Sequence, residues 1–379
     1  MASYLDPRTV QTEYVKVKNI GSGSDGAVEL YKHYKTPGKC LAVKYPLDGH
    51  ENQTEDIIAE IDCLQMLGKH DNIVEILGWD FDWAPHAPAM FVSFCPLGDV
   101  HGYRSELKNA LGYIPEDTIW KLFLDMVKAL NFLHEALSVP VVHGDLKPEN
   151  ILVQGPLGWV LKEGFLPTLP TFKLADFSRA TPYMPGYAPE PLYQGTRAYA
   201  PPREECMQGI TPATDIWSLG ATLQFFAYGA LPTQRLQEFV WDLKAQGLLR
   251  LGDNPTAAFF DQRVDLASLW PVVYRPLSVS AEEQVLQWGV EVRDVILRPY
   301  SNELNMWYSM LMQPDRGKRI PVAYLALWFV PLAERQLSLL YHRKNAAFSI
   351  RYAEQLREEA GRSRAGLNNA GLVPVVPLH

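Results

Sequence analysis

The amino-acid sequence predicts an α+β protein of two lobes, a small antiparallel β-sheet N-lobe with one helix and a mainly helical C-lobe. Three observations predict it. Residues 13–46 read as strands punctuated by glycine turns, a single helical repeat follows at 54–67, and beyond residue 116 apolar residues recur with helical period between proline-rich connections. With 379 residues, 47% apolar and 21% charged, the chain can bury a large core, and its length favours two lobes or domains over one.

Residues 1–13 are read as an N-terminal extension. YVKVKNI then gives the first strand, GSGSDG a tight turn, AVELYKHY the second strand, TPGK another turn and CLAVKY the third. In TEDIIAEIDCLQMLG, Ile57, Ile61, Leu64 and Leu67 fall at helical spacing, with Thr54 placed to cap the start and Gly68 to end the helix. NIVEILGWDFDW and the strand AMFVSF complete the first lobe, 14–94, and residues 95–99 are the expected connection. In the second lobe, 100–335, EDTIWKLFLDMVKALNFLHEAL has the length and period of a buried helix. Residues 336–379 read as a helix-prone extension ending in a frayed tail, GRSRAGLNNAGLVPVVPLH.

A formal net charge of -8 argues against a nucleic-acid binder, because affinity for phosphate backbones comes from clustered Lys and Arg. Cys40, Cys63, Cys95 and Cys206 form no CxxC pair, which points to reduced thiols rather than to zinc or a disulfide framework. The first residues lack an apolar run of signal-peptide length, and IPVAYLALWFVPL is too short to span a bilayer. A soluble intracellular protein, cytoplasmic or nuclear, is expected, with no membrane span.

Candidate chemistry begins with GSGSDGAV, in which Gly21, Gly23, Gly26 and Val28 follow the spacing of a loop whose backbone amides can approach phosphate. Alone, such a loop is as often a structural turn. Lys44 closes the next strand, and Glu60 lies within the apolar stripe of the following helix, where a carboxylate facing a core needs a cation. Lys44 is the obvious partner; the alternative is that Glu60 reaches water. VVHGDLKPENILV is more specific, because His143, Asp145, Lys147 and Asn150 crowd one turn between a long helix and an apolar strand. Such crowding costs stability unless it serves a function. Asp145 can accept a hydroxyl proton, Lys147 can neutralise a transferring phosphoryl group, and the Asn150 carbonyl can ligate a hard metal ion. In FKLADFSRA, Asp176 ends an apolar strand where a second oxygen ligand for magnesium would sit.

From GSGSDGAV through LAVK, the Glu60 helix, HGDLKPEN, DFS, GTRAYAPP and DIWSLG to PDRGKR, the chain resembles eukaryotic protein kinases, and DLKPEN resembles the serine/threonine-specific ones. The resemblance spans roughly residues 14–335 and implies the two-lobed kinase fold. It also implies ATP and Mg2+ as cofactors and a protein substrate with a Ser or Thr acceptor. It assigns Gly21, Gly23 and Gly26 to a lid over phosphates, Lys44 held by Glu60 to the α and β phosphates, and Val28, Ala42 and Leu152 to the adenine. Val92 would be the gatekeeper, and the backbones of Ser93 and Cys95 would bond the adenine edge. Asp145 would be the catalytic base, with Lys147 beside it, and Asn150 and Asp176 would hold the metal. Leu64, His143 and Phe177 would form a packed spine that Asp215 anchors.

Three positions depart from the family pattern. Gly144 stands where an arginine that engages a phosphorylated loop is usual, so activity independent of a loop phosphate at Thr181, Tyr183 or Tyr187 through that contact is expected. Ser178 replaces a glycine, with a cost on the order of 1 kcal/mol if the backbone needs positive φ there. Arg203 falls where a glutamate pairs with an arginine matching Arg319, so Glu204 or Glu205 is expected to take over. The segments 155–170 and 233–304 are longer than expected, and the second is a candidate contact for a protein partner. The competing readings are a pseudokinase acting as a nucleotide-binding or scaffolding module and, less favoured, a small-molecule kinase.

Overall fold

The computed structural model describes residues 4–23, 26–47, 51–155, 166–186, 192–256, 269–288 and 299–340, with Phe259, Arg263 and Leu266. A short helix, α1 (Pro7–Glu13), comes first; the Asp6 side chain accepts from the Arg8 N–H, and Pro7 suits a first turn whose amides lack partners. Its one fully buried side chain, Val10, joins Tyr14, Ala27, Val43 and Phe91 in a single apolar cluster. Ahead of the helix the Leu5 N–H donates to the Leu77 carbonyl, and a Cβ at Gly78 would collide with the Leu5 carbonyl. The residues read as an extension therefore pack into the sheet.

That sheet holds β1 (Tyr14–Gly23), β2 (Gly26–His33), β3 (Cys40–Tyr45), β4 (Ile76–Asp80) and β5 (Ala89–Ser93), in the order β1-β2-β3-β5-β4, all antiparallel. Helix α2 (Glu51–Leu67) lies against it with Ile57, Ile61 and Leu64 buried. It begins three residues before Thr54, which therefore is not its cap. The Gln53 side chain accepts from the Leu47 N–H at 2.8 Å, a tie to the preceding loop that favours winding 51–53 into the helix. Gly68, at φ +70°, ends it as expected.

The chain crosses to the second lobe through two backbone bonds, Leu97 N–H to Val153 O at 3.2 Å and Val153 N–H to Gly98 O at 2.8 Å. Asp99 then caps α3 (Val100–Leu111). Helix α4 (Glu116–Asn131) is buried on nearly every side and widens into a π-turn at Phe132–Ala136. Short ladders follow: β6 (Val141–Val142) with β9 (Thr181–Pro182), and β7 (Ile151–Gln154) with β8 (Thr171–Leu174). After α5 (Arg203–Cys206) comes the central helix α6 (Pro212–Tyr228), at whose start the Thr211 N–H donates to the Thr214 hydroxyl at 3.1 Å and which Gly229 closes at φ +71°. Helices α7 (Leu236–Ala245), α8 (Ala281–Trp288), α9 (Asn302–Leu311) and α10 (Val322–Tyr324) follow among the described residues.

Within the long segment 233–304, Phe239, Val240, Leu243, Leu249 and Leu266 form a small core of their own, with Trp270 stacked on Phe239. Residues 156–165 of the other long segment, residues 289–298 and Tyr187 lie outside the described residues, as does everything after residue 340. Packing divides the chain into compact units 1–331 and 332–379, and the described part of the second, 332–340, is helical. Among the described residues no helix is long and apolar enough to cross a membrane.

Arg319 is buried and binds Glu205 through two bonds of 3.0 and 2.8 Å, while its other donors reach the Ala213 and Gln313 carbonyls. The α5 turn leaves Arg203 and Glu204 exposed, so two arginines never face each other. Removing one partner of a buried ion pair strands the other charge, so Glu205→Ala should lose about 3–5 kcal/mol. Glu204→Ala should stay within about 0.5 kcal/mol. Denaturant midpoints of the two variants test this contrast.

Candidate active site

The turn after β6 is built on one carboxylate. Asp215, fully buried in α6, accepts from the His143 N–H at 2.8 Å and the Gly144 N–H at 3.0 Å and meets His134 Nε2 at 2.9 Å. Three partners are what a charge without water requires. The His143 ring accepts from the Asp145 N–H and donates to the Ala175 carbonyl at 3.1 Å, and Phe177 meets it edge-on, with ring centres 4.9 Å apart. Two consecutive amides aimed at one carboxylate hold Gly144 at φ +77°, a left-handed backbone that glycine adopts freely.

Asp145, Lys147 and Asn150 emerge from that turn. Lys147 Nζ lies 2.8 Å from both Asp145 Oδ2 and Thr196 Oγ1, while the Thr196 N–H donates to Asp145 Oδ1 at 2.7 Å. The Asn150 amide nitrogen is tied to the Asp145 carbonyl at 2.9 Å and to Asp145 Oδ2 at 3.2 Å, which points its oxygen the other way.

A cleft of about 770 Å³ opens beside this turn. Gly21, Gly23 and Gly26 line it with Val28, Ala42, Lys44 and Glu60, and so do Val92, Ser93, Cys95, Asn150, Leu152 and Asp176. Every residue expected to touch nucleotide or metal thus faces one space, and Val74 and Met90 add apolar wall that sequence reading did not single out. Asp145 and Lys147 stand outside that lining, against Thr196.

Inside the cleft Lys44 Nζ contacts Glu60 at 2.7 Å and Asp176 at 3.0 Å. Burial alone would push the lysine down, but the charges of Glu60 and Asp176 overcome this and hold it above the usual lysine range. Burial raises the Glu60 carboxyl against the pull of Lys44. For Asp176 burial also pushes up, yet the Lys44 charge, helped by hydrogen bonds from Lys44 and the Ser178 side chain, brings the carboxyl down to about 2. One ammonium faces two acidic side chains, of which Asp176 is held ionised. The Asp176 carboxylate and the Asn150 amide oxygen, both hard donors lining the cleft, fit a divalent cation such as Mg2+. Glu60 also accepts the Phe177 N–H at 3.1 Å, so β3, α2 and the strand exit at Asp176 are tied at one point.

A family profile described as protein kinase domain matches residues 14–320. The chain belongs to the protein kinase family. Similar proteins include a probable serine/threonine-protein kinase, iksA, of Dictyostelium discoideum, 28% identical over 56% of this chain and 24% of its own length. Sperm motility kinase 2B of Mus musculus is 28% identical over 58% and 40%, and serine/threonine-protein kinase ULK3 of Homo sapiens 28% identical over 58% and 42%. The aligned part is thus less than half the length of each of these relatives.

In this kinase domain the departures find physical explanations. The positive φ in DFS falls at Asp176 (+62°), not at Ser178, so serine carries no left-handed penalty and instead donates to Asp176. At Gly144 a Cβ would sit 3.0 Å from the Arg179 carbonyl. Thr196, which joins Lys147 to Asp145, was given no role from sequence; its place in GTRAY, where glycine permits close approach, was the available signal. Gly144→Ala should cost about 1–2 kcal/mol, the strain of a left-handed alanine, readable from denaturant unfolding. Burial pushes the thiols of Cys63 and Cys95 up to about 12. At pH 7.5 both should alkylate with iodoacetamide far more slowly in native than in unfolded protein, as peptide mass mapping would show.

Proposed function

We propose that the chain is a protein serine/threonine kinase that transfers the γ-phosphate of ATP, with Mg2+, to a Ser or Thr hydroxyl of a protein substrate. The observation that carries this reading is the convergence of Lys44, Glu60, Asp176 and Asn150 on one cleft, adjacent to the Asp145–Lys147–Thr196 cluster.

In this reading Lys44, fixed by Glu60, presents its charge to phosphate oxygens, and the amides of Gly21, Gly23 and Gly26 cover them. Val28, Ala42 and Leu152 take the base between them. The Ser93 N–H is engaged by Glu75 O and the Cys95 carbonyl by the Gly98 N–H, so the Ser93 carbonyl and Cys95 amide would meet the adenine edge. Asp176 and Asn150 would hold magnesium, which neutralises charge on the transferring phosphoryl group when bound. Asp145 accepts the acceptor hydroxyl's proton while Lys147 stabilises negative charge, the two already oriented by Thr196. Gly144 offers no cation for a loop phosphate, which supports a switch independent of that contact. In this reading the kinase is intracellular, cytoplasmic or nuclear.

Transfer of label from γ-labelled ATP to the chain itself and to generic basic proteins tests this. Asp145→Asn should lower kcat by roughly 10²–10⁴. Lys44→Met should lower it by roughly 10²–10³. Absence of transfer from folded wild-type protein over several substrates would point instead to a nucleotide-binding pseudokinase.

A further inference from the structure

Tyr193 precedes the GTRAY stretch and is 3% exposed, packed in a cluster with Val142, Cys206 and Ile210. Its hydroxyl donates to the Thr196 carbonyl at 3.0 Å. The same Thr196 donates its N–H to Asp145 Oδ1 and accepts from Lys147 at its hydroxyl. A Cβ at Gly195 would collide with the Gly144 carbonyl and would meet the Tyr193 hydroxyl oxygen at 2.7 Å. Gly195 is therefore needed for the segment to lie on the turn with the phenol alongside. Arg197 adds a contact over the Tyr193 ring, 5.6 Å from its centre.

We propose that Tyr193 is a positioning residue, a built-in latch that holds Thr196 against Asp145 and so does without phosphate the ordering that a phosphorylated segment bound to an arginine could do. The inference rests on the kinase reading for its catalytic consequence, but not for its geometry. The ring fills space beside the Gly144–Gly195 contact, and the hydroxyl ends a relay of two bonds to Asp145. Tyr193 touches no reacting atom; it acts through Thr196. Enclosed in an apolar cluster, its hydroxyl is also a poor target for phosphorylation in the folded state, so the latch stays closed without a modifying enzyme.

The test compares wild type with Tyr193→Phe and Tyr193→Ala after phosphatase treatment. Tyr193→Phe keeps the packing and loses one hydrogen bond, so kcat should fall roughly fivefold with KM for ATP unchanged. Tyr193→Ala should fall roughly a hundredfold, again at unchanged ATP affinity, because Thr196 and Asp145 lose their register. Wild-type kcat in both folded variants, or activity of wild type that vanishes on dephosphorylation, would overturn the latch. Should wild type transfer no phosphate, the kinase reading fails separately, and hydrogen exchange at residues 194–199 still decides. Faster exchange there in Tyr193→Ala supports the latch, and unchanged exchange overturns it.

Discussion

The turn that carries Asp145, Lys147 and Asn150 depends on a carboxylate that water never reaches. Asp215 is fully buried, so its charge is tolerable only with donors around it, and the nearest available are the amides of His143 and Gly144 and the ring of His134. Satisfying Asp215 bends the backbone through a left-handed residue, turns His143 toward Ala175 and Phe177, and leaves Asp145 against Lys147 and Thr196. The central helix thus shapes the turn through one side chain. Gly144 makes this bend free of strain, where an arginine would have to adopt it against its preference.

The second constraint is arithmetic of charge. Lys44 on β3, Glu60 on α2 and Asp176 after β8 meet within 3.0 Å, with the Phe177 amide bound to Glu60 as well. Moving α2 away would leave Lys44 with one carboxylate and the Phe177 amide without its acceptor. Turning Asp176 out would undo the same cluster from the other side. Two elements far apart in sequence are therefore coupled through a single ammonium group, and the cleft is complete only when both are in place.

Much of this was legible in the sequence where the signal is local. Glycine spacing marked the loop between β1 and β2, the place of Glu60 on an apolar stripe named Lys44 as its partner, and the crowding of His143, Asp145, Lys147 and Asn150 marked the turn. What escaped was set by contacts across the chain. The start of α2 follows from Gln53 binding Leu47, which no capping pattern at Thr54 reveals. The choice of Glu205 over Glu204 follows from which side of a one-turn helix faces Arg319. The left-handed residue in DFS is Asp176, whose carboxylate Lys44 and the Ser178 side chain hold, and the residue types alone left open whether Ser178 would need that conformation. Tyr193 reads in sequence as one more aromatic in a proline-rich stretch; only its neighbours give it a role.

Helix α1 has a consequence for how such a domain can be exchanged between proteins. The segment shared with the family starts at Tyr14, yet Val10 lies in the same apolar cluster as Val43 and Phe91, and Leu5 is bonded to the strand edge over Gly78. A recombination point placed at the edge of family similarity would cut through a packed core and expose a hydrophobic face on the sheet. Residues 4–13 and the side-chain-free site at Gly78 thus form one packed unit with the sheet, and the folding unit at this end is larger than the unit of family resemblance.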